Sequence, residues 1–559
     1  MASERNLGRY TSADVEGYYS TGQWADENFT ELLRARIEDN PDKVFVTDGT
    51  HSLTFAELYR DSQRLAVGLR RKGLRPGDRV AAQLPNWAEF VVVAAALTRI
   101  GAVMVPIMPI YRTDEVTYTM SDAGVRMAIA PADFKGFDYV SMYDEIRQSA
   151  PTLEFVVAVR AGDDAYADKN IDVLEDLVAD VAVEEADAEL DFRVHPDDPY
   201  VIVYTSGTTS RPKGCVHTFN TYASGARALR VAFGHTEDDV QFGPSPVTHT
   251  TGLVTSVILP LLSGAATHFM PEWDPTRGLA DIQKYGCTGA VTATVFLQTL
   301  MAAADADPDA DLSSLRFWTC AGSPIPSAVI EHATAKLPGA SILSLYGRSE
   351  NLCTTSCTVD DDPRHALTSD GSALPGTHVE IVDAAGEPVP HGTEGDIAYR
   401  GPSHMIEYLN RPDATAELYT ADGYSMSGDL GVMDDDGFVR VTGRTKDIII
   451  RGGMNISVRE VEDKLTHHPD VLALAVVAMP DERLGEKVCL YVVPKEGHAA
   501  PTVADIRTYL VERGVAIQKT PEHVEVLDEL PMTATGKIQK HVLRKQIADQ
   551  MEQSKAATA

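Results

Sequence analysis

Residues 204–214 read YTSGTTSRPKG, directly behind the apolar run YVIV at 200–203. Eleven residues hold two glycines, five serine or threonine hydroxyls, one proline and two basic side chains. Such a turn is built to surround an anion, because hydroxyls and backbone N–H groups donate while the ammonium of Lys213 supplies charge. The alternative is a surface turn that has merely collected small residues. A Walker A loop requires Gly, four residues, then Gly, Lys and Ser or Thr. Counted from Gly207, those last three places hold Pro212, Lys213 and Gly214, so only the lysine fits. The stretch therefore predicts a phosphate cradle of another kind, at the exit of a buried strand.

Around it the chain alternates short β-rich runs with helical ones. LTFAELYRDSQRLAVGLRRKG from Leu53 has apolar residues at helical spacing, with Thr54 as N-cap and Glu57 three residues on. VRMAIA, LEFVVAV, YVIVYT, GAATHFM, LRFWTCAGS and ASILSLYG are runs apolar on both faces, as a mostly parallel sheet requires. After about Gly371 the texture shifts to hairpins with Asp/Gly turns, which predicts a smaller antiparallel sheet. The expected architecture is α/β: a large N-terminal unit, 1–445, of several subdomains, with 372–445 antiparallel, and a small mobile α+β unit, 446–559.

Composition limits the function classes. The 559 residues exceed one hydrophobic core. Lys and Arg total 49 against 82 Asp and Glu, a formal charge of -33. That surface repels nucleic acid and anionic lipid, so an anionic ligand must be met by a few local cations. Six scattered cysteines predict neither a disulfide framework nor a structural zinc site. The start, MASERNLGRYTSADVEGYY, lacks the apolar core of a secretory signal, and Phe90–Tyr111 is broken by Arg99, Gly101, Pro106 and Pro109. No membrane insertion and a cytoplasmic location are expected.

Four further segments concentrate polar chemistry. SLYGRSE, 344–350, puts Tyr346, Gly347 and the carboxylate of Glu350 behind the apolar ASILSL, where an acid can hold Mg²⁺ beside phosphates. YSMSGDLG places Asp429 after Gly428 in an expected tight turn, suited to the vicinal hydroxyls of a ribose or to stabilising the turn itself. TGRTKDIIIRGGMNISVREVE groups Arg444, Lys446, Arg451, Gly452 and Gly453 ahead of a helix. PMTATGKIQK presents Lys537 from a glycine turn near the C-terminus.

Together, and in this order, these segments resemble the adenylate-forming superfamily of acyl-CoA synthetases, carrier-domain adenylation enzymes and beetle luciferases. The resemblance runs from LTFAEL to the terminal GK lysine, and GRTKDIIIRGGMNI with AMPDERLGEKV is most similar to bacterial ligases of short, medium-chain or cyclic carboxylic acids. It implies two half reactions: a carboxylate attacks the α-phosphate of ATP, releasing pyrophosphate, and a thiol then attacks the acyl adenylate, releasing AMP. ATP, Mg²⁺ and coenzyme A are the implied cofactors, and a small-molecule carboxylic acid the implied substrate, handled by a monomer or homodimer.

Carried onto this chain, the resemblance gives Thr205, Ser206, Gly207, Thr208, Thr209 and Lys213 the β- and γ-phosphates. Glu350 and a loop threonine, Thr205, would hold Mg²⁺, and Ser349 the α-phosphate. Tyr346 and Gly347 would meet adenine opposite Gly322 and Ser323, although Tyr346 also suits a core aromatic. Asp429 takes the ribose and Arg444 supports it. Lys537 stabilises charge in the first half reaction. A hinge at Lys446 would then swap Lys537 for Gly452 and Gly453 before the thiol attacks. Val458 stands where the family often has proline, which implies a small change in loop stiffness. His249 would line the acyl pocket, or be a buried hydrogen-bonding histidine. Thr248, Val254, Ile258, Leu352 and Cys353 make that pocket otherwise apolar, and no aspartate is placed to catch an amino group. Arg348 replaces a commoner neutral residue; a salt bridge is expected of it rather than a contact to a substrate oxygen. Loading of a carrier-protein phosphopantetheine and a catalytically silent binding protein are the rival readings.

Overall fold

Helices begin where the sequence supplies caps. Thr54 accepts the Glu57 N–H and Glu57 reaches back to the Thr54 N–H, so the helix Phe55–Arg71 starts on a complete capping box. Its apolar face, from Phe55 through Leu69, is buried. The apolar stretch after Trp87 is the buried helix Ala88–Ile100, ended by Gly101 with φ 70° and followed by the fully buried strand Val103–Pro106. The computed structural model describes residues 5–558 except 163–165, 167–170, 180, 183–188, 191, 206–210, 323–324 and 534–536.

Two large sheets dominate. The first has eight strands, and its core is parallel: Pro199–Tyr204, Val103–Pro106, Arg79–Ala82, Met127–Pro131 and Phe155–Val159 lie side by side. The second has nine strands, with Ala266–Phe269, Val240–Gly243, Gly289–Thr292, Phe317–Ala321 and Ser341–Tyr346 parallel in that order. Short antiparallel strands finish both edges of the nine-stranded sheet and one edge of the eight-stranded sheet, whose other edge is the parallel strand Asp172–Val173. A four-stranded antiparallel sheet, His378–Val382, Gly395–Arg400, Ser425–Met433 and Val439–Arg444, follows. The C-terminal part has its own five-stranded sheet around the long hairpin of Val471–Asp481 and Gly485–Pro494, flanked by the helices Val458–Leu465, Val503–Glu512 and Lys540–Thr558. The expected α/β class is thus the observed one.

One local reading needs correction. Asp429 lies inside the extended strand Ser425–Met433, not in a tight turn. Pairing jumps from Asp396↔Leu430 to Ala398↔Met426, so the strand bulges there, and Gly428 absorbs the bulge with φ 69°. The run behind His249 holds a π-helical segment, Leu253–Ile258, between two short α turns. All of its side chains are buried, and Pro260 follows. An all-apolar helix has the same sequence signature with or without an inserted residue, so periodicity does not reveal the π turn.

An aromatic knot from the N-terminal segment fixes one wall of the later site. Trp24 donates its indole N–H to the Pro402 carbonyl at 2.9 Å, and Tyr10 donates its hydroxyl to the His404 carbonyl at 2.9 Å. Both aromatics are buried with Ile406. The segment so held continues into the edge strand Glu407–Tyr408.

Candidate active site

The parallel sheet delivers one group of site residues by register alone. Ala321 pairs with Leu345, so Gly322 and Tyr346 leave adjacent strands at the same carboxyl edge. Ligands of open α/β sheets sit outside that edge. The antiparallel sheet delivers a second group, because Asp429 and Arg444 are direct cross-strand partners. The two meet: Tyr346 donates its hydroxyl to Asp429 Oδ2 at 2.7 Å, and Arg444 Nε donates to Asp429 Oδ1 at 2.9 Å. Gly322, Tyr346, Gly347, Asp429, Arg444 and Lys537 all border one cavity of 750 Å³, within the size range of small-molecule sites.

Lys537 reaches this cavity from the C-terminal part, closing over Gly322. A Cβ built on Gly322 would stand 2.8 Å from Lys537 Cε and 3.2 Å from Nζ, and Gly322 has φ 84°. Only glycine satisfies both constraints. Burial and then the neighbouring Arg444 guanidinium lower the Lys537 ammonium, against the pull of Asp429 and Glu350, to about 8.

A second constellation surrounds the carboxylate of Glu350, which is 5 % exposed. Its Oε1 accepts from the Tyr408 hydroxyl at 2.6 Å and from Arg348 Nη2 at 3.0 Å. Burial alone would raise this carboxyl; the Arg348 guanidinium and the Tyr408 hydroxyl outweigh it and hold Glu350 below its ordinary value. The Tyr408 ring also carries the Lys213 ammonium, 4.7 Å from its centroid. Lys213 and Thr205 tie the base of the opening loop: Thr205 N donates to the Lys213 carbonyl at 2.9 Å and Lys213 N to Thr205 Oγ1 at 3.1 Å. The Ser349 carbonyl bonds to His217 Nε2 at 2.8 Å. Burial lowers His217 to about 4, so the ring is neutral and Nε2–H is the donor.

Arg348 makes the expected salt bridge, with Glu350 of the same motif as its partner. His249 caps the turn it begins, its Nδ1 accepting the Thr251 N–H at 3.3 Å. Burial, then the Lys537 ammonium, push it down to about 3. Val254, Ile258, Leu352 and Cys353 are buried in the main core, with Leu352 and Cys353 facing Gly225. Gly452 and Gly453 form the turn of the hairpin Ile449–Arg451/Met454–Ile456 and do not border the cavity. Ser206, Gly207, Thr208, Thr209 and Ser323, and the side chain of Lys446, lie outside the described residues. Sequence reasoning missed Tyr408 and His217. Neither stands in a motif with a local grammar, and both act only through partners far along the chain.

As a metal site, the oxygens of Glu350 and Thr205 fit a hard cation in kind. Both bonds to Glu350 fall on Oε1, so neither calls on the second carboxylate oxygen.

The edge of a parallel sheet, the paired Asp429 and Arg444, and Lys537 brought in from the C-terminal part thus border one cavity. Residues 33–409 match the AMP-binding enzyme family and residues 460–537 the AMP-binding enzyme C-terminal domain, and the chain belongs to that family. It is 35% identical over 538 residues to the medium-chain fatty-acid–CoA ligase of Escherichia coli (strain K12), covering 96% of this chain and 93% of that one. It is 34% identical over 509 residues to a Rhodococcus jostii (strain RHA1) CoA ligase whose acid is a methyl-dioxo-octahydroindenyl propanoate, covering 90% and 95%. The anthranilate CoA ligase AuaEII, solved with anthranoyl-AMP, superposes with a TM-score of 0.84 at 25% identity, over 96% of this chain and 98% of that one. No helix among the described residues is long and apolar enough to cross a membrane.

Proposed function

We propose that this protein is an ATP-dependent carboxylic acid–CoA ligase working through an acyl adenylate. The observation that carries the proposal is Lys537 seated over Gly322 in the cavity that Tyr346, Asp429 and Arg444 also line. In the first half reaction a carboxylate oxygen bonds to the α-phosphorus of ATP and the bond to pyrophosphate breaks. Negative charge builds on the transferring oxygens, and the Lys537 ammonium, fixed beside them, stabilises it. Tyr346 stacks against adenine while Asp429 accepts from the ribose hydroxyls, oriented by Arg444. Lys213 and the loop from Thr205 hold the β- and γ-phosphates. Glu350 and Thr205 would hold Mg²⁺, which screens the phosphate charges when bound. The neutral His249 ring adds no charge beside the acid.

In the second half reaction the sulfur of CoA bonds to the acyl carbon and AMP leaves with the bonding pair. Residues 446–559 turn about Lys446 between the steps, withdrawing Lys537 and bringing Gly452 and Gly453 to the acyl adenylate. The reading is supported by the present placement of Lys537 inside the cavity and of those two glycines outside it. Relatives named for medium-chain and bicyclic acids support a cyclic, aromatic or short to medium-chain acid.

Lys537→Ala tests the assignment. It should abolish acid-dependent ATP–pyrophosphate exchange while acyl-CoA formation from supplied acyl adenylate stays within about threefold of the parent, since transition-state charge is stabilised by this lysine only in the first step. Equal loss of both activities would refute the role.

A further inference from the structure

The buried carboxylate of Glu350 already owns a cation from its own motif. Arg348 stands two residues before Glu350 in the same turn, and its Nη2 lies 3.0 Å from Glu350 Oε1. The guanidinium is not loose. Its Nη1 approaches the Tyr399 hydroxyl at 3.3 Å and the Met426 carbonyl at 3.5 Å, and its side chain is 20 % exposed. Tyr408 adds a second hydrogen bond to the same carboxylate, on the same Oε1, at 2.6 Å. A carboxylate screened in this way carries little net field for a second cation. A divalent ion approaching Glu350 meets a fixed positive charge across one side chain, where the low local dielectric makes repulsion strong. ATP changes that balance, because its phosphates bring several negative charges to the same place.

We propose that Arg348 is an internal counter-cation which keeps Glu350 from taking a divalent metal until ATP is present, so that metal enters with the nucleotide and not ahead of it. The inference rests on the reading of Glu350 as a metal ligand. Arg348 is thus a positioning residue: it acts through Glu350, and its effect is on the order of binding. Tyr399, Met426 and Tyr408 hold the pair in register from the antiparallel sheet and from the edge strand Glu407–Tyr408.

The test is Mn²⁺ titration of the full-length enzyme without nucleotide, followed by electron paramagnetic resonance of free Mn²⁺. Arg348→Met should gain one Mn²⁺ site about tenfold tighter than any in the parent, as expected when one neighbouring charge is removed. Arg348→Gln, which keeps polar contacts without charge, should behave alike and covers the case in which the methionine variant fails to fold. The gained site should vanish in Arg348→Met/Glu350→Gln. With α,β-methylene-ATP bound, parent and Arg348→Met should converge. Unchanged nucleotide-free Mn²⁺ binding in both Arg348 variants would overturn the inference. The underlying metal reading fails separately: Glu350→Gln that leaves Mn²⁺ affinity unaltered with α,β-methylene-ATP bound removes Glu350 as a ligand.

Discussion

The ammonium of Lys537 is pulled in two directions, downward by burial and Arg444 and upward by Asp429 and Glu350, and comes to rest at about 8. Its cationic form is the useful one, and it is present below that value and lost above it. The kcat/KM for ATP in pyrophosphate exchange should therefore be flat below pH 7 and fall as pH rises through about 8, because this ratio reports groups of the free enzyme. Lys537→Arg, if active, should push the fall beyond pH 10, since guanidinium stays protonated there; a decline at the same pH would assign it to another group. At this scale Lys537, Tyr346, Asp429 and Arg444 were legible because each stands in a short motif of glycine, hydroxyl and charge. Tyr408 was not, since EYLN has no such grammar and its bond to Glu350 spans 58 residues. Arg348 was half legible: a buried cation needs a partner, but only the fold shows that the partner is the expected metal ligand.

Among elements, alternation was read well where burial is two-sided. Met127–Pro131 and Phe317–Ala321 are buried at every position, and the sequence shows them as apolar runs interrupted only by Thr319. The cap at Thr54 was written locally and is formed locally. Asp429 was misread, and the π segment Leu253–Ile258 left no signal, for one reason: a bulge and an inserted residue alter hydrogen bonding without altering which side chains are apolar. The N-terminal knot was also invisible, as Trp24 meets Pro402 378 residues away. Trp24 is 1 % exposed, so Trp24→Ala should cost about 3–5 kcal/mol in urea denaturation. It should also lower adenylation per folded molecule, because the segment it anchors continues into Tyr408. Full adenylation at reduced stability would separate the knot from the site.

Across the whole molecule, polar contacts join the proposed C-terminal unit, 446–559, to the rest of the chain. Arg459, 7 % exposed, lies 3.5 Å from Asp370 Oδ2 and also donates to the Val441 carbonyl. Ser457 donates to the Thr442 carbonyl at 2.9 Å. Asp370 keeps the Ser344 hydroxyl and the Val441 N–H when Arg459 is lost, so Arg459→Ala weakens the pose without stranding a bare carboxylate. It should slow adenylation about tenfold, equivalent to about 1.4 kcal/mol on the closed pose, and spare acyl-CoA formation from supplied adenylate. Equal slowing of both steps would mean that the contact does not distinguish the two poses.

The most direct measurement is AMP release from ATP with benzoate, salicylate, cyclohexanecarboxylate, hexanoate and isobutyrate, each with and without coenzyme A. At least one of these acids should give AMP and acyl-CoA in equal amounts, dependent on both the acid and coenzyme A. Acid-dependent pyrophosphate exchange with no response to coenzyme A would place the acyl group on a carrier protein instead, and no acid-dependent exchange at all would contradict the assignment of a ligase.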